Sequence, residues 1–297
     1  MIDTHTHLYL EQFRDDIDDV ISRAKAVGVE KFYLPSINSK YNKSMHDLEK
    51  KYPDNVFCMI GLHPCYVDDN FDLEIDFVKK QIEKHDYKAI GEIGIDLFHE
   101  KKYFEQQVIA FEEQIKLAID YDLPIVIHSR DSFDEIFEVL EKFKCEKLRG
   151  IFHCFTGNID QAHQIIDLNF HLGIGGVLTF KNGKISEFLK EIPINKIVLE
   201  TDSPYLAPSP HRGSRNESSY LKIIADKLAK VYNLEIDEIS KITQQNSIEV
   251  CEPLYTRNVD GGNLSLNESY REKDFNFSLK FIKSYISEYP KEVKIAY

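Results

Sequence analysis

Along the chain, short runs of apolar residues alternate with longer stretches in which apolar side chains recur every three or four positions. The runs lie at residues 2–5, 31–36, 56–61, 89–95, 124–128, 150–155, 171–177 and 196–201. Continuous apolar runs this short, bounded by Gly, Pro or polar residues, predict strands buried on both faces. The stretches between them predict amphipathic helices. The first covers residues 13–27, where Phe13, Ile17, Val20, Ile21, Ala24 and Val27 form one stripe and Gly28 ends it. Further helices are predicted over 40–51, 72–84, 103–121, 132–143 with Ser132 as its cap, 160–168, 217–231 and 236–250.

Strands alternating with helices predict βαβ units and a parallel sheet. Eight such units within residues 1–251 fit an α/β fold of the closed (β/α)8 TIM barrel type, with an open doubly wound sheet as the alternative. The pattern changes after Cys251. Residues 252–297 read as a C-terminal extension: 258–268 are polar and turn-rich, with Gly261-Gly262, and 275–289 carry Phe277, Phe281, Ile282, Tyr285 and Ile286 at helical spacing. No role for the extension follows from its sequence.

Composition narrows the functional classes. Of the 297 residues, 42% are hydrophobic and 29% charged, as in a soluble globular protein. The five cysteines are odd in number and form no CxxC pair, which predicts a reducing compartment and no disulfide framework. With no secretory pattern and no long apolar span, the expected location is cytoplasmic, with no membrane partner. A net charge of −13 argues against a broad basic face for nucleic acid, but leaves room for a local site where metal ions meet phosphate.

Candidate chemistry gathers where the apolar runs end. His5 and His7 follow the first run at i, i+2, a spacing that puts both imidazoles on one side of a strand but splays them about 200° apart on a helix. His63 follows the third run, Glu92 interrupts the fourth, His128 ends the fifth, His153 lies in the sixth, and Asp202 follows the eighth. Each has a plain reading alone: a chance His-x-His, a satisfied core histidine at His128 or His153, a loop carboxylate at Glu92, an Asx turn at Asp202. In a parallel barrel, however, all these strand ends meet at one mouth, and a shared metal site explains them together. Four histidines (His5, His7, His128, His153) with Glu92 and Asp202 exceed what one tetrahedral ion needs. They suit two divalent ions bridged by Glu92, with Asp202 binding one ion and accepting a proton from the attacking water. Mixed imidazole and carboxylate donors permit Zn²⁺, Mn²⁺, Co²⁺ or Mg²⁺.

Seven stretches in order carry a resemblance: Asp3-Thr-His-Thr-His7, Gly61-Leu-His-Pro64, Gly91-Glu-Ile-Gly-Ile-Asp96, Pro124-Ile-Val-Ile-His-Ser-Arg130, His153-Cys-Phe-Thr-Gly157, Gly173-Ile-Gly-Gly176 and Leu199-Glu-Thr-Asp-Ser-Pro204. With them the chain resembles the TatD family of metal-dependent deoxyribonucleases, within the amidohydrolase superfamily. The resemblance implies a (β/α)8 barrel in which His5, His7 and Asp202 hold one ion, His128 and His153 hold the second, and Glu92 bridges. It implies that His63 and Arg130 lie near substrate phosphate, and that Arg212 and Arg215 either reach phosphates or serve as surface charges. Glu92 stands where many superfamily members carry a carboxylated lysine, which speaks against a dihydroorotase-like enzyme. The chain departs from the usual pattern at Ser218, where a proline is common, and around Asn246. The implied activity is hydrolysis of DNA from the 3′ end by a metal-activated water. The alternatives are a related amidohydrolase acting on a small amide or ester, and a non-enzymatic metal-binding scaffold.

Overall fold

The structure, a computed structural model, describes residues 1–99 and 101–251 together with the strands Tyr255–Arg257 and Leu264–Leu266. The chain divides into two units, Met1–Cys251 and Glu252–Tyr297. In the first unit eight parallel strands follow one another: β1 (Ile2–Asp3), β2 (Lys31–Leu34), β3 (Val56–Cys58), β4 (Ile90–Asp96), β5 (Ile125–Arg130), β6 (Gly150–Phe152), β7 (Phe170–Ile174) and β8 (Ile197–Leu199). β1 to β3 pair in chain order, as do β4 to β8. The two sheets join at both seams. Ile60 bridges Ile90, and the Gly91 N–H donates to the Ile60 carbonyl at 2.8 Å. On the other side the Thr4 N–H donates to the Leu199 carbonyl at 3.1 Å and the Asp202 N–H to that of His5 at 2.9 Å. The ring closes as a TIM barrel, and the open-sheet alternative falls.

Period-two alternation sorts the strand side chains. Ile2, Tyr33, Met59, Val126, Ile151 and Val198, with Ala89 just before β4, form an inner layer, on which Val250 and Cys251 pack. Their neighbours Phe32, Leu34, Val56, Cys58, Ile60, Ile125, Ile127 and Phe152 face outward to the helices. Those helices are α1 (Ile17–Ala26), α2 (Asn42–Lys51), α3 (Phe71–Gln81), α4 (Phe104–Tyr121), α5 (Phe133–Lys142), α6 (Ile159–Asp167), the single-turn α7 (Ile185–Phe188), α8 (Leu221–Tyr232) and α9 (Ile236–Cys251).

Three local expectations change. The pattern from residue 13 includes a separate 3-10 turn, Glu11–Phe13, before α1 begins at Ile17. Ser132 stands at the N-cap of α5, but its hydroxyl donates to the Ile95 carbonyl at 2.6 Å instead of capping the helix, so it ties α5 to β4. The stretch read as a turn-rich linker contains a strand, Leu264–Leu266, antiparallel to Tyr255–Arg257. The helix expected over 275–289 lies outside the described residues. No helix among the described residues is long and apolar enough to cross a membrane.

Candidate metal centre

The predicted ligands converge at the C-terminal rim of the barrel. His5 and His7 leave β1 on a segment held by the backbone of β2 and of the chain after β8: Thr6 N–H donates to Tyr33, and His7 N–H to Ser203 at 2.7 Å. Glu92 sits at an irregularity in β4, where the pairing with β5 shifts between Gly91 and Ile93. Such a bulge re-aims one side chain without breaking the strand. Gly91 is required beside it, since a Cβ there would lie 2.7 Å from Cβ of Val126.

Glu92 is the centre of the cluster, and its two oxygens face different partners. Oε2 lies 3.2 Å from Nε2 of His5 and 3.7 Å from Nε2 of His7. Oε1 lies 3.0 Å from Nδ1 of His128, 3.2 Å from Nε2 of His63 and 3.7 Å from Nε2 of His153. Asp202 Oδ1 joins the first side, 3.4 Å from His7 Nε2 and 3.8 Å from His5 Nε2. The His5 ring also stacks on that of His153, with centroids 3.5 Å apart.

The far ring nitrogens are held from behind. Asp96 Oδ2 lies 2.9 Å from His128 Nε2 and the Tyr9 hydroxyl lies 2.8 Å from His7 Nδ1, while Glu200 Oε1, which accepts the Cys154 N–H at 2.6 Å, lies 3.0 Å from His153 Nδ1 as an ion pair that makes no aligned hydrogen bond. Tyr9 in turn donates to the Pro35 carbonyl at 2.7 Å. Such partners fix the tautomer and aim of a ligating imidazole.

Electrostatics follow from this packing. Burial works to raise the Glu92 carboxyl, but the imidazoles of His63, His5 and His153 and the hydrogen bond to His128 outweigh it and hold the group well below the usual range. Asp202 is likewise lowered against its burial, chiefly by His7. Burial works to lower His153, yet Glu200 and Glu92 carry it up to about 10. Burial lowers His5 and His63.

The donor set fits divalent cations. His5 Nε2 stands within 3.8 Å of His7 Nε2, Glu92 Oε2 and Asp202 Oδ1, and one N–H satisfies only one of them. The Nδ1 of His5 is buried with no hydrogen-bond partner. Imidazole nitrogens and carboxylate oxygens converging in a buried pocket are the donors that borderline divalent metals take.

The chain matches the model of the family described as TatD related DNase over residues 2–252. It belongs to the TatD family. It is 37% identical to the uncharacterized metal-dependent hydrolase YabD of Bacillus subtilis, across 83% of this chain and 97% of that one. It is 33% identical to the uncharacterized metal-dependent hydrolase BU355 of Buchnera aphidicola, across 83% and 97%. Among solved structures it resembles YjjV, a TatD homologue of Escherichia coli, with a TM-score of 0.80 and 28% identity over 84% of this chain and 97% of that one. This TatD protein is therefore a metal-dependent hydrolase.

The remaining expected residues fall in different places. His63, expected near substrate, lies within the cluster itself, with its side chain 13% exposed. Arg130 stands at the rim, its guanidinium 4.1 Å over the Phe98 ring. Arg212 is engaged within the protein, 3.8 Å over Phe180 from the segment after β7 and donating to the Ala207 carbonyl of its own loop. Arg215 is not a phosphate ligand in waiting: Asp16 takes both its terminal nitrogens, at 2.8 and 2.6 Å. The sequence pattern does not single out Asp96 and Glu200 as site residues, although they lie in the same motifs as Glu92 and Asp202. Their signal was a buried acid on a strand end already carrying Glu92 or Asp202.

Proposed function

We propose that this TatD protein is a deoxyribonuclease that hydrolyses DNA phosphodiester bonds at a dinuclear centre, trimming single strands from the 3′ end. The two-sided environment of Glu92 carries this reading: Oε2 faces His5 and His7, and Oε1 faces His63, His128 and His153. On this reading His5, His7 and Asp202 would hold one ion and His128 and His153 the other, with Glu92 offering an oxygen to each. Divalent ions there supply Lewis-acid stabilisation of phosphoryl oxygens and make water more acidic. Asp96 keeps the His128 ring aimed inward, and the Glu200 carboxylate lies as a counter-charge 3.0 Å from His153 Nδ1. Asp202, kept ionised beside His7, takes the proton of the attacking water on Oδ2. His63 and Arg130 meet the phosphate, which the charge-assisted bonds of a guanidinium suit.

Exposed aromatic rings at the mouth support a nucleic-acid substrate. Tyr66 (46% exposed) lies edge-on to His63, Tyr205 (47%) lies edge-on to His7, and Phe98 (58%) lies under Arg130. Nucleobases stack on such rings whatever their sequence. That lets an acidic protein hold a strand locally without a basic face. The net charge of −13 favours the rival reading, a small neutral amide or ester as substrate. Purified protein with Mn²⁺ or Mg²⁺ and single-stranded oligonucleotides labelled at either end separates the two. Stepwise loss from the 3′ end is expected; turnover of amides or lactones with intact oligonucleotides would select the rival.

A further inference from the structure

On the outer face of the barrel, three chain segments bring together two imidazoles, a thiol and a carboxylate. Alternation along β3 turns Cys58 outward, among the residues beneath the helices, while Met59 turns inward. α2 supplies His46 and Glu49, and the segment before β4 supplies His85 and Tyr87. One donor atom each from His46, Cys58 and His85 lie within 4.8 Å of one another. The two imidazoles stack with centroids 4.1 Å apart. Glu49 reaches in with both oxygens: Oε1 accepts from the Cys58 N–H at 3.0 Å, and Oε2 lies 2.6 Å from His85 Nε2.

One atom in this group is left over. His85 Nε2 is buried and makes no hydrogen bond, although Glu49 Oε2 stands 2.6 Å away as an ion-pair partner. A buried nitrogen left so loses its hydration without a replacement partner. The neighbouring ring is, by contrast, oriented from behind: the Tyr87 hydroxyl lies 3.0 Å from His46 Nε2 and donates to Asn42 Oδ1 at 3.1 Å. This is the outer support that metal-ligating histidines usually have.

We infer that His46, Cys58 and His85, with Glu49 as fourth donor, form a structural zinc site that clips α2 and the segment before β4 to β3. A thiolate with two imidazoles and a carboxylate is a zinc donor set and a poor one for Mg²⁺ or Ca²⁺. Tetrahedral zinc, with Zn–S about 2.3 Å and Zn–N about 2.0–2.1 Å, asks the donors to close by roughly 1 Å from their present spread. The side chains of His85 (29% exposed) and Glu49 (17%) leave the ion a path from solvent. Binding replaces the proton of the Cys58 thiol, which passes to water, and forms the Zn–S bond. The site shares no residue with the mouth, so it braces the wall without entering the hydrolysis.

The test uses the full chain stripped with chelator and titrated with Co²⁺, which reports a thiolate ligand by a charge-transfer absorption in the near ultraviolet. Wild type, Cys65→Ala and Cys154→Ala are expected to develop the band, and equimolar Zn²⁺ to abolish it. Cys58→Ala is expected to lose it, and His85→Gln to need at least ten times more Co²⁺. No band in wild type, or an undiminished band in Cys58→Ala, would overturn the site. Should Cys58→Ala fail to fold, His46→Gln and His85→Gln decide, because both rings lie at the partly exposed edge: loss of the band supports the site, and wild-type titration curves refute it.

Discussion

At the scale of single residues, most of the centre was legible because its side chains break a local rule. A histidine or carboxylate at the end of an apolar run needs a partner that the run itself does not supply. His5, His7, Glu92, His128, His153 and Asp202 all carried that signal, and the structure gathers them. Asp96 and Glu200 carried it too, but each shares its run with a nearer candidate. Arg215 was ambiguous because sequence does not show that Asp16, 199 positions away, takes it up. The roles separate by substitution. Asp202→Asn keeps shape and removes the proposed base, so kcat is expected to fall by about 10²–10⁴ with little change in melting temperature. Asp96→Asn loosens the His128 ring from behind, and metal affinity measured by titration is expected to weaken about 10–100-fold. The exposed rings make a different prediction: Phe98→Ala or Tyr205→Ala is expected to raise KM for oligonucleotides, by about 1–3 kcal/mol per lost stacked base. The same variants should leave KM for a small chromogenic phosphodiester unchanged, and equal effects on both substrates would contradict base stacking.

At the scale of elements, strand and helix order was readable from periodicity alone, and the boundaries moved where tertiary contacts compete. The Ser132 hydroxyl was expected to cap α5, yet β4 offers it a buried carbonyl that needs a donor. The pairing of β4 with β5 is the most demanding joint, since it carries Glu92 and His128. Gly94 has φ +138°, and a Cβ there would lie 2.1 Å from the His128 carbonyl oxygen. Gly94→Ala therefore combines backbone strain with overpacking, and denaturant titration is expected to register a loss of about 3 kcal/mol or more. Wild-type stability in this variant would show that the joint tolerates displacement.

At the scale of the whole molecule, closure of the barrel turns residues about 200 positions apart into one site, and strand order alone did not settle it. The seams did, through Ile60–Ile90 and Thr4–Leu199. The inner layer has one odd member. His171 of β7 is in register with Ile151 of β6, is 8% exposed, and its Nδ1 has no partner. Burial, aided by Lys196, lowers its pKa to about 4. A histidine depressed in the folded state binds its proton more readily when unfolded. Its stabilising effect is therefore full above about pH 6.5 and is lost as pH falls toward about 4. His171→Leu is expected to flatten the fall in melting temperature over that window; an unchanged profile would place the acid sensitivity elsewhere. The family match ends at residue 252, and Val250 and Cys251 pack on the inner layer. A chain ended after Cys251 is accordingly proposed to fold and keep its hydrolase activity.

The central claim is that Glu92 bridges two ions, and anomalous diffraction from crystals soaked in Mn²⁺ tests it most directly. Two peaks about 3.5–4 Å apart are expected, flanking the Glu92 carboxylate, one beside His5, His7 and Asp202 and the other beside His128 and His153. A single peak, or peaks that leave Glu92 untouched, would contradict it.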